Sequence, residues 1–103
     1  FIMIKIRLFC AAGMSTTMLV KKMVEAAEKK GIKVDIKAFP QSQLKDKIEG
    51  IDVALLGPQV GYTLNKVKPI CDEKGIPVAV IPMIDYGMMN GEKVLDFALG
   101  LRH

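Results

Sequence analysis

The chain has 103 residues, of which half are hydrophobic and a quarter charged, and its formal net charge is +4. That length suits one domain with a single core, and the apolar runs are far too short to span a bilayer. The lysines are spread along the chain without a basic block or an aromatic RNA-binding motif, so the composition does not indicate a nucleic-acid-binding protein.

The cysteine content argues against a secreted disulfide scaffold. The sequence contains only Cys10 and Cys71, and we expect no signal peptide. A cytoplasmic protein with reduced thiols is therefore predicted.

The first third of the chain predicts a strand, a helix and a second strand. Residues 2–9 are rich in β-forming side chains, and this pattern stops at Cys10. Across residues 15–30 apolar side chains recur at helical spacing, and Gly31 is placed to end that helix. Residues 33–39 alternate between apolar and polar side chains, which is typical of a half-exposed edge strand.

The middle of the chain repeats this order. Residues 42–49 predict a short helix, and residues 52–56 form a compact apolar segment, typical of a buried strand, which Gly57 ends. A further helix is predicted over residues 60–74, in which we expect Pro69 to cause a kink or a break.

The last third predicts a fourth strand at residues 77–81 and a final helix at residues 92–101. This alternation predicts a single α/β domain with an open, four-stranded parallel sheet, strand order 2-1-3-4, and helices on both faces. Ligands of such sheets bind where the strand order reverses, beside the first strand. The segment that begins at Cys10 is expected to lie there.

Cys10 begins a short loop of small and hydroxyl residues that leads into the first predicted helix. Free backbone N–H groups at a helix N-terminus favour anions, including phosphate and the nucleophilic thiolate form of cysteine. Gly13 permits backbone angles that let amides turn around an oxyanion. We predict a phosphate-binding loop beside a nucleophilic sulfur, made of Ala11, Ala12, Gly13, Met14, Ser15, Thr16 and Thr17.

These residues also have simpler interpretations. Cys10 could be a small buried side chain at a strand end, and the hydroxyl groups of residues 15–17 could only cap the helix. The glycine and hydroxyl cluster beside Cys10 favours a site. Cys71 lies in a helical pattern away from any glycine loop, so we predict a packing role or an idle surface thiol for it.

Other site motifs are absent from the sequence. It has no G-x-G-x-x-G, no Walker A lysine and no C-x-x-C, and its single histidine is the terminal His103. A Cys–His dyad, a metal site and a bound cofactor are therefore not predicted.

The sequence also differs from the C-x5-R motif of cysteine-dependent phosphatases. The sixth residue after Cys10 is Thr16, and the only arginines are Arg7 and Arg102. In those phosphatases the guanidinium holds the phosphoryl group and stabilises its transition state. A loop without it is suited to carrying a phosphoryl group for a partner rather than to hydrolysing it. A phosphatase or arsenate reductase, and a non-catalytic anion-binding module, are the alternatives.

Four segments carry a resemblance to a known family. They are, in chain order, LFCAAGMSTTMLVKKM, KAFPQSQL, DVALLGPQVGYTL and VIPMIDYGMMNGEKVL. Together they resemble the enzyme IIB component of the bacterial phosphoenolpyruvate-dependent sugar phosphotransferase system (PTS), of the lactose/cellobiose/chitobiose type. The resemblance covers essentially the whole chain, so residues 1–103 are expected to form one IIB domain.

The resemblance implies a fold related to the low-molecular-weight tyrosine phosphatases. It implies that Cys10 accepts a phosphoryl group from a phosphohistidine of enzyme IIA, as phosphocysteine. Cys10 then passes the group to a sugar of the cellobiose, chitobiose or lactose class that the membrane enzyme IIC holds. The protein would reach the inner face of the membrane only transiently, through enzyme IIC.

Two further segments are expected to border the pocket because they follow the third and fourth strands. Asp85 and Tyr86 are similar to a pair that provides the general acid in phosphatases, but a thiolate leaving group needs no proton, so a structural or partner-contact role is favoured. The residues expected at this rim are Pro58, Gln59, Tyr62, Asp85 and Tyr86.

The face that binds the partners is expected to combine residues 11–17, 58–62 and 85–89, with Met14 exposed at the tip of the loop. Flexible thioethers, here including Met88 and Met89, suit a surface that docks two proteins in turn. Methionines are equally common as core filler, and both interpretations apply to these three.

Overall fold

The computed structural model describes residues 3–11 and 13–102, with residues 13–15 described by their backbone alone. In chain order its elements are β1 (Ile4–Cys10), α1 (Gly13–Lys30), β2 (Val34–Pro40), α2 (Leu44–Lys47), β3 (Val53–Leu56), α3 (Leu64–Glu73), β4 (Val78–Val80), α4 (Met83–Gly87) and α5 (Gly91–Leu101). Within these described ranges, no helix is both long and apolar enough to cross a membrane.

The four strands form one parallel sheet in the order β2-β1-β3-β4, which confirms the predicted topology. β2 lies at an edge, as its alternating pattern indicated, and β1 lies inside the sheet. In the register of β1, Phe9 is opposite Leu56 of β3 and Cys10 is opposite Pro40 of β2. The carboxyl ends of three strands therefore meet around Cys10.

The sheet separates two clusters of buried side chains. One cluster lies between the sheet and the helices α1 and α5 and includes Ile6, Leu8 and Cys10 of β1. The other lies under α2 and α3 and includes Phe9 of β1 and Cys71 of α3. Successive strand residues point to opposite faces, so β1 contributes to both clusters and the two thiols lie on opposite sides of the sheet.

The end of α1 follows the prediction made from Gly31. Gly31 has φ +70°, a conformation that L-residues rarely adopt, and its N–H donates to the carbonyl of Glu28 at 3.1 Å. The N–H of Ile32 donates to the carbonyl of Ala27 at 2.9 Å. These two hydrogen bonds form the usual glycine-terminated helix end, which satisfies carbonyl groups that would otherwise lack partners.

Two predictions about helices need correction. α3 continues through Pro69, so the expected break does not occur; Pro69 is exposed, where its ring costs one backbone hydrogen bond without disturbing the core. The helix predicted over residues 60–74 begins only at Leu64, because residues 60–63 belong to a 3₁₀ segment, Pro58–Thr63, in which Val60 is not helical. α4 was not predicted at all.

Candidate functional site

Cys10 is the last residue of β1, and its side chain is only 2% exposed. The 18-residue helix α1 begins three residues later, at Gly13. The first amide groups of such a helix have no partner within the helix and carry partial positive charge. The chain therefore brings Cys10 directly to a helix terminus that favours anions. Ala11 is exposed, whereas Ala12 and the side chains of Met14 and Ser15 lie outside the described residues.

Gly57 brings the end of β3 against the sulfur of Cys10. Its N–H donates to the carbonyl of Phe9 at 2.8 Å. A Cβ atom on Gly57 would lie 2.9 Å from Cys10 Sγ, which is closer than Cβ atoms come to their neighbours. The backbone angles of Gly57, φ −63° and ψ 150°, are open to any residue. Glycine is thus required here for space beside the thiol, whereas the sequence indicated only a strand end.

Gln59 approaches Cys10 from the same side. The Cβ position that lies near Cys10 Sγ is also 3.1 Å from Gln59 Oε1. The sulfur and the Gln59 carboxamide are therefore at most about 6 Å apart. A carboxamide carries two N–H donors, so Gln59 is within reach of a group bound to the sulfur.

Thr16 is fully buried, and its side chain is turned into the protein. Its Oγ1 lies 3.1 Å from the Oη of Tyr86, and either hydroxyl can be the donor. The sequence predicted that the Thr16 hydroxyl would contact phosphate or cap α1. In the structure this hydroxyl is hydrogen-bonded to Tyr86 of the unpredicted helix α4, a structural contact of the kind favoured for Tyr86, and a role of Thr16 in binding phosphate stays a prediction.

A pocket of about 360 Å³ opens beside these residues. It is lined by Pro58, Gln59, Met83, Tyr86, Gly87 and Met89. Three of the predicted rim residues therefore lie together, whereas Tyr62 and Asp85 are not part of the lining. Tyr62, three residues after Gln59 in the sequence, is 84% exposed.

The sequence left both a docking role and a core role open for Met88 and Met89, and these two side chains lie in different environments. Met88 is 73% exposed, as is Met83 of α4, and Ile84 is 74% exposed. Met89 is partly buried against the cluster under α1 and α5 and has φ +53°. Met88 is thus available at the surface, whereas Met89 contributes to packing.

Cys71 lies far from this arrangement, in the cluster on the other face of the sheet. It is fully buried, and neither cysteine forms a disulfide bond. Burial raises the pKa of the Cys71 thiol, and the neighbouring Asp72 raises it further. A buried, protonated thiol is inert, which agrees with the predicted packing role.

The chain thus combines a parallel α/β sheet with a cysteine at the carboxyl end of an inner strand, three residues before a helix N-terminus. The family model described as "PTS system, Lactose/Cellobiose specific IIB subunit" matches residues 5–97. The chain therefore belongs to the family of lactose/cellobiose-specific PTS IIB subunits, and the family assigned from the sequence is confirmed.

Similar proteins extend over nearly the whole chain. It is 44% identical over 101 residues to the galactose-specific EIIB component of Lactococcus lactis subsp. cremoris, covering 93% of this chain and 94% of that protein. It is 39% identical over 97 residues to the oligo-beta-mannoside-specific EIIB component of Bacillus subtilis, covering 94% of each.

Solved structures of similar proteins have the same fold. The cellobiose-specific IIB component of Borrelia burgdorferi matches with a TM-score of 0.80 at 41% identity, over 97% of this chain and 92% of that one. The lactose-specific IIB domain of Streptococcus pneumoniae matches with a TM-score of 0.86 at 20% identity, over 97% and 98%. The latter likeness concerns the fold alone.

Proposed function

We propose that this IIB subunit carries a phosphoryl group on Cys10, accepting it from a phosphohistidine of enzyme IIA and passing it to a sugar held by the membrane enzyme IIC. The observation that supports this most is the position of Cys10, between the end of β1 and the N-terminus of α1, with Gly57 leaving space beside Sγ. The fold thus offers one nucleophile beside amide groups that favour anions.

The proposed reaction consists of two displacements at phosphorus. The thiolate of Cys10 attacks the phosphohistidine; an S–P bond forms, the N–P bond breaks, and the imidazole leaves with the electron pair. A sugar hydroxyl then attacks the phosphocysteine; an O–P bond forms, the S–P bond breaks, and the thiolate is regenerated while the hydroxyl proton passes to a base on the acceptor side. The chain contributes positioning and charge stabilisation through the first amides of α1.

The arginines support transfer to a partner over hydrolysis. Arg7 Nη2 lies 3.2 Å from Asp35 Oδ2, and Arg7 Nη1 donates to the Asp35 carbonyl at 2.8 Å, so its guanidinium is engaged on β2. Arg102 follows α5, whose last residues line a pocket with Ile76 and Val78 at the opposite end of the sheet. Neither guanidinium can reach a phosphoryl group on Cys10, so the hydrolysis alternative lacks its main catalytic group.

We propose that both partners dock on the face around the pocket. Its exposed apolar side chains are Tyr62, Met83, Ile84 and Met88. A surface that serves a donor and an acceptor in turn needs a small interface and weak affinity, and flexible methionines adapt to different shapes. For the sugar we propose the cellobiose, chitobiose or lactose class, with the choice among them made by enzyme IIC.

Mass spectrometry after incubation with phosphorylated enzyme IIA tests the proposal. The parent chain should gain one phosphoryl group, and peptide mapping should place it on Cys10. Cys10→Ser should gain none, because a serine hydroxyl is not ionised near neutral pH, whereas the matched control Cys71→Ser should be loaded like the parent. A phosphoryl group on the Cys10→Ser variant, or on Cys71 in the parent, would contradict the proposal.

A further inference from the structure

The hydrogen bond between Thr16 and Tyr86 joins two parts of the chain that are 70 residues apart. Thr16 is fully buried, and Tyr86 is 7% exposed. The two hydroxyls are hydrogen-bonded to each other inside the protein at 3.1 Å, so the bond restricts where both side chains point.

Thr16 belongs to the turn of α1 that would bind a phosphoryl group. α1 begins at Gly13, so Thr16 is the fourth residue of the helix. The first four N–H groups of a helix are the ones without intrahelical partners. A side chain that is fixed at this position therefore fixes the orientation of the amide groups on which the anion site depends.

Tyr86 also belongs to the face on which partners are proposed to dock. It lines the pocket with Gln59 and Met83, and its helix α4 exposes Met83 and Ile84. One five-residue helix thus carries both the surface of the docking face and the hydroxyl that holds the first turn of α1.

We infer that Tyr86 is a positioning residue for phosphoryl transfer: through Thr16 it holds the first turn of α1 in the orientation that receives the phosphoryl group on Cys10. This inference rests on the proposed function of Cys10. Tyr86 transfers no proton and touches no reacting atom in this role; the effect is mechanical and depends on the hydroxyl rather than on the aromatic ring.

The test removes one hydroxyl at a time. Tyr86→Phe keeps the ring, Thr16→Val keeps the shape of the side chain, and Thr16→Ser keeps the hydroxyl. Thr63→Val is the matched control, because Thr63 also has a buried hydroxyl, which donates to the carbonyl of Val60 at 2.6 Å, outside α1 and α4. Single-turnover transfer from phosphorylated enzyme IIA, measured against donor concentration, separates the maximal rate from the concentration that gives half of it.

We expect Tyr86→Phe and Thr16→Val each to lower the maximal rate about tenfold, with the half-saturating concentration unchanged, since small displacements of positioned groups slow transfer strongly. The double variant should lose no more than either single variant, because both break the same hydrogen bond. Thr16→Ser should restore the rate lost in Thr16→Val, and Thr63→Val should keep the parent rate. Amide chemical shifts of residues 13–16 should move in Tyr86→Phe and stay in place in Thr63→Val.

The inference is overturned if Tyr86→Phe loads Cys10 at the parent rate, or if the losses of the two single variants multiply in the double variant. It is also overturned if the variants lose only thermal stability while the maximal rate is kept. A parent chain that never forms phosphocysteine refutes the proposed function itself, and this inference with it, so the two failures are distinguished by the parent reaction.

Discussion

Replacing Gly57 by alanine adds one methyl group beside the sulfur of Cys10. The new Cβ would lie 2.9 Å from Sγ and 3.4 Å from the Cβ of Cys10. The backbone at Gly57 is extended and compatible with alanine, so the cost is purely steric. Overpacking of this kind typically destabilises a protein by about 1–3 kcal/mol. For a domain of this size, each kcal/mol lowers the melting temperature by about 4–8 °C.

The same methyl group should slow phosphoryl transfer. Relief of the contact requires a displacement of Cys10 Sγ, of the Gly57 backbone, or of both, by several tenths of an ångström. Because a misplacement of about 1 Å can reduce a rate a hundredfold, we expect transfer to Cys10 to be about tenfold slower in Gly57→Ala. The added methyl group should destabilise the phosphorylated state more than the free thiol, since the phosphoryl group needs additional room.

Rapid-quench measurement of phosphocysteine formation, with thermal unfolding on the same samples, gives both quantities. Gly100→Ala is the matched control for the transfer rate, because a Cβ on Gly100 would meet nothing within 4 Å and Gly100 lies at the other end of the sheet. If Gly57→Ala unfolds at the parent temperature and is loaded at the parent rate, the space beside the sulfur limits neither folding nor transfer, and the prediction is wrong.

Three other predictions concern stability and specificity. Gly31→Ala should lower the free energy of unfolding by about 1 kcal/mol, because Gly31 has φ +70°. Gly100→Ala should raise the free energy of unfolding by about 0.5 kcal/mol, because Gly100 lies inside α5 with open space around it; equal effects of the two substitutions in chemical denaturation would contradict this. The pKa of the Cys71 thiol is higher in the folded state than in the unfolded state, so the free energy of unfolding should fall as the pH rises through the ordinary thiol pKa of 9.0. This part of the fall should be missing in Cys71→Ala, and identical pH profiles of the two chains would contradict the prediction. Hydrolysis of an aryl phosphate should be negligible, because no guanidinium faces Cys10; a steady, Cys10-dependent turnover at phosphatase speed would revive the phosphatase alternative.

The order of elements was predictable because each strand and helix carries its own local signal. The alternation in β2 indicated an edge strand, and Gly31 and Gly50 both mark chain reversals at positive φ. The nucleophile candidate was also visible locally, since Cys10 stands between a strand pattern and a helix pattern. These features depend on residues that are neighbours in sequence.

The remaining features of the site depend on contacts between distant segments. α4 has only five residues, between Pro82 and Met88, which is too short for a helical period to be recognised. The bond from Tyr86 to Thr16 joins residues that are 70 positions apart in the chain, and the approach of Gly57 to Cys10 follows from the register of β1 and β3. The residues around Tyr86 or Gly57 in the sequence do not indicate which distant residue each one contacts.

Among the residues that the structure describes, the two clusters of buried side chains have no member in common, because the sheet lies between them. Substitutions under α2 and α3, such as at Val67 or Cys71, alter packing on the face opposite to the Cys10 thiol. Effects on stability at well-separated sites are close to additive. A lineage can therefore adjust its thermal stability at positions such as Val67 and Cys71 with little effect on the packing around the Cys10 thiol.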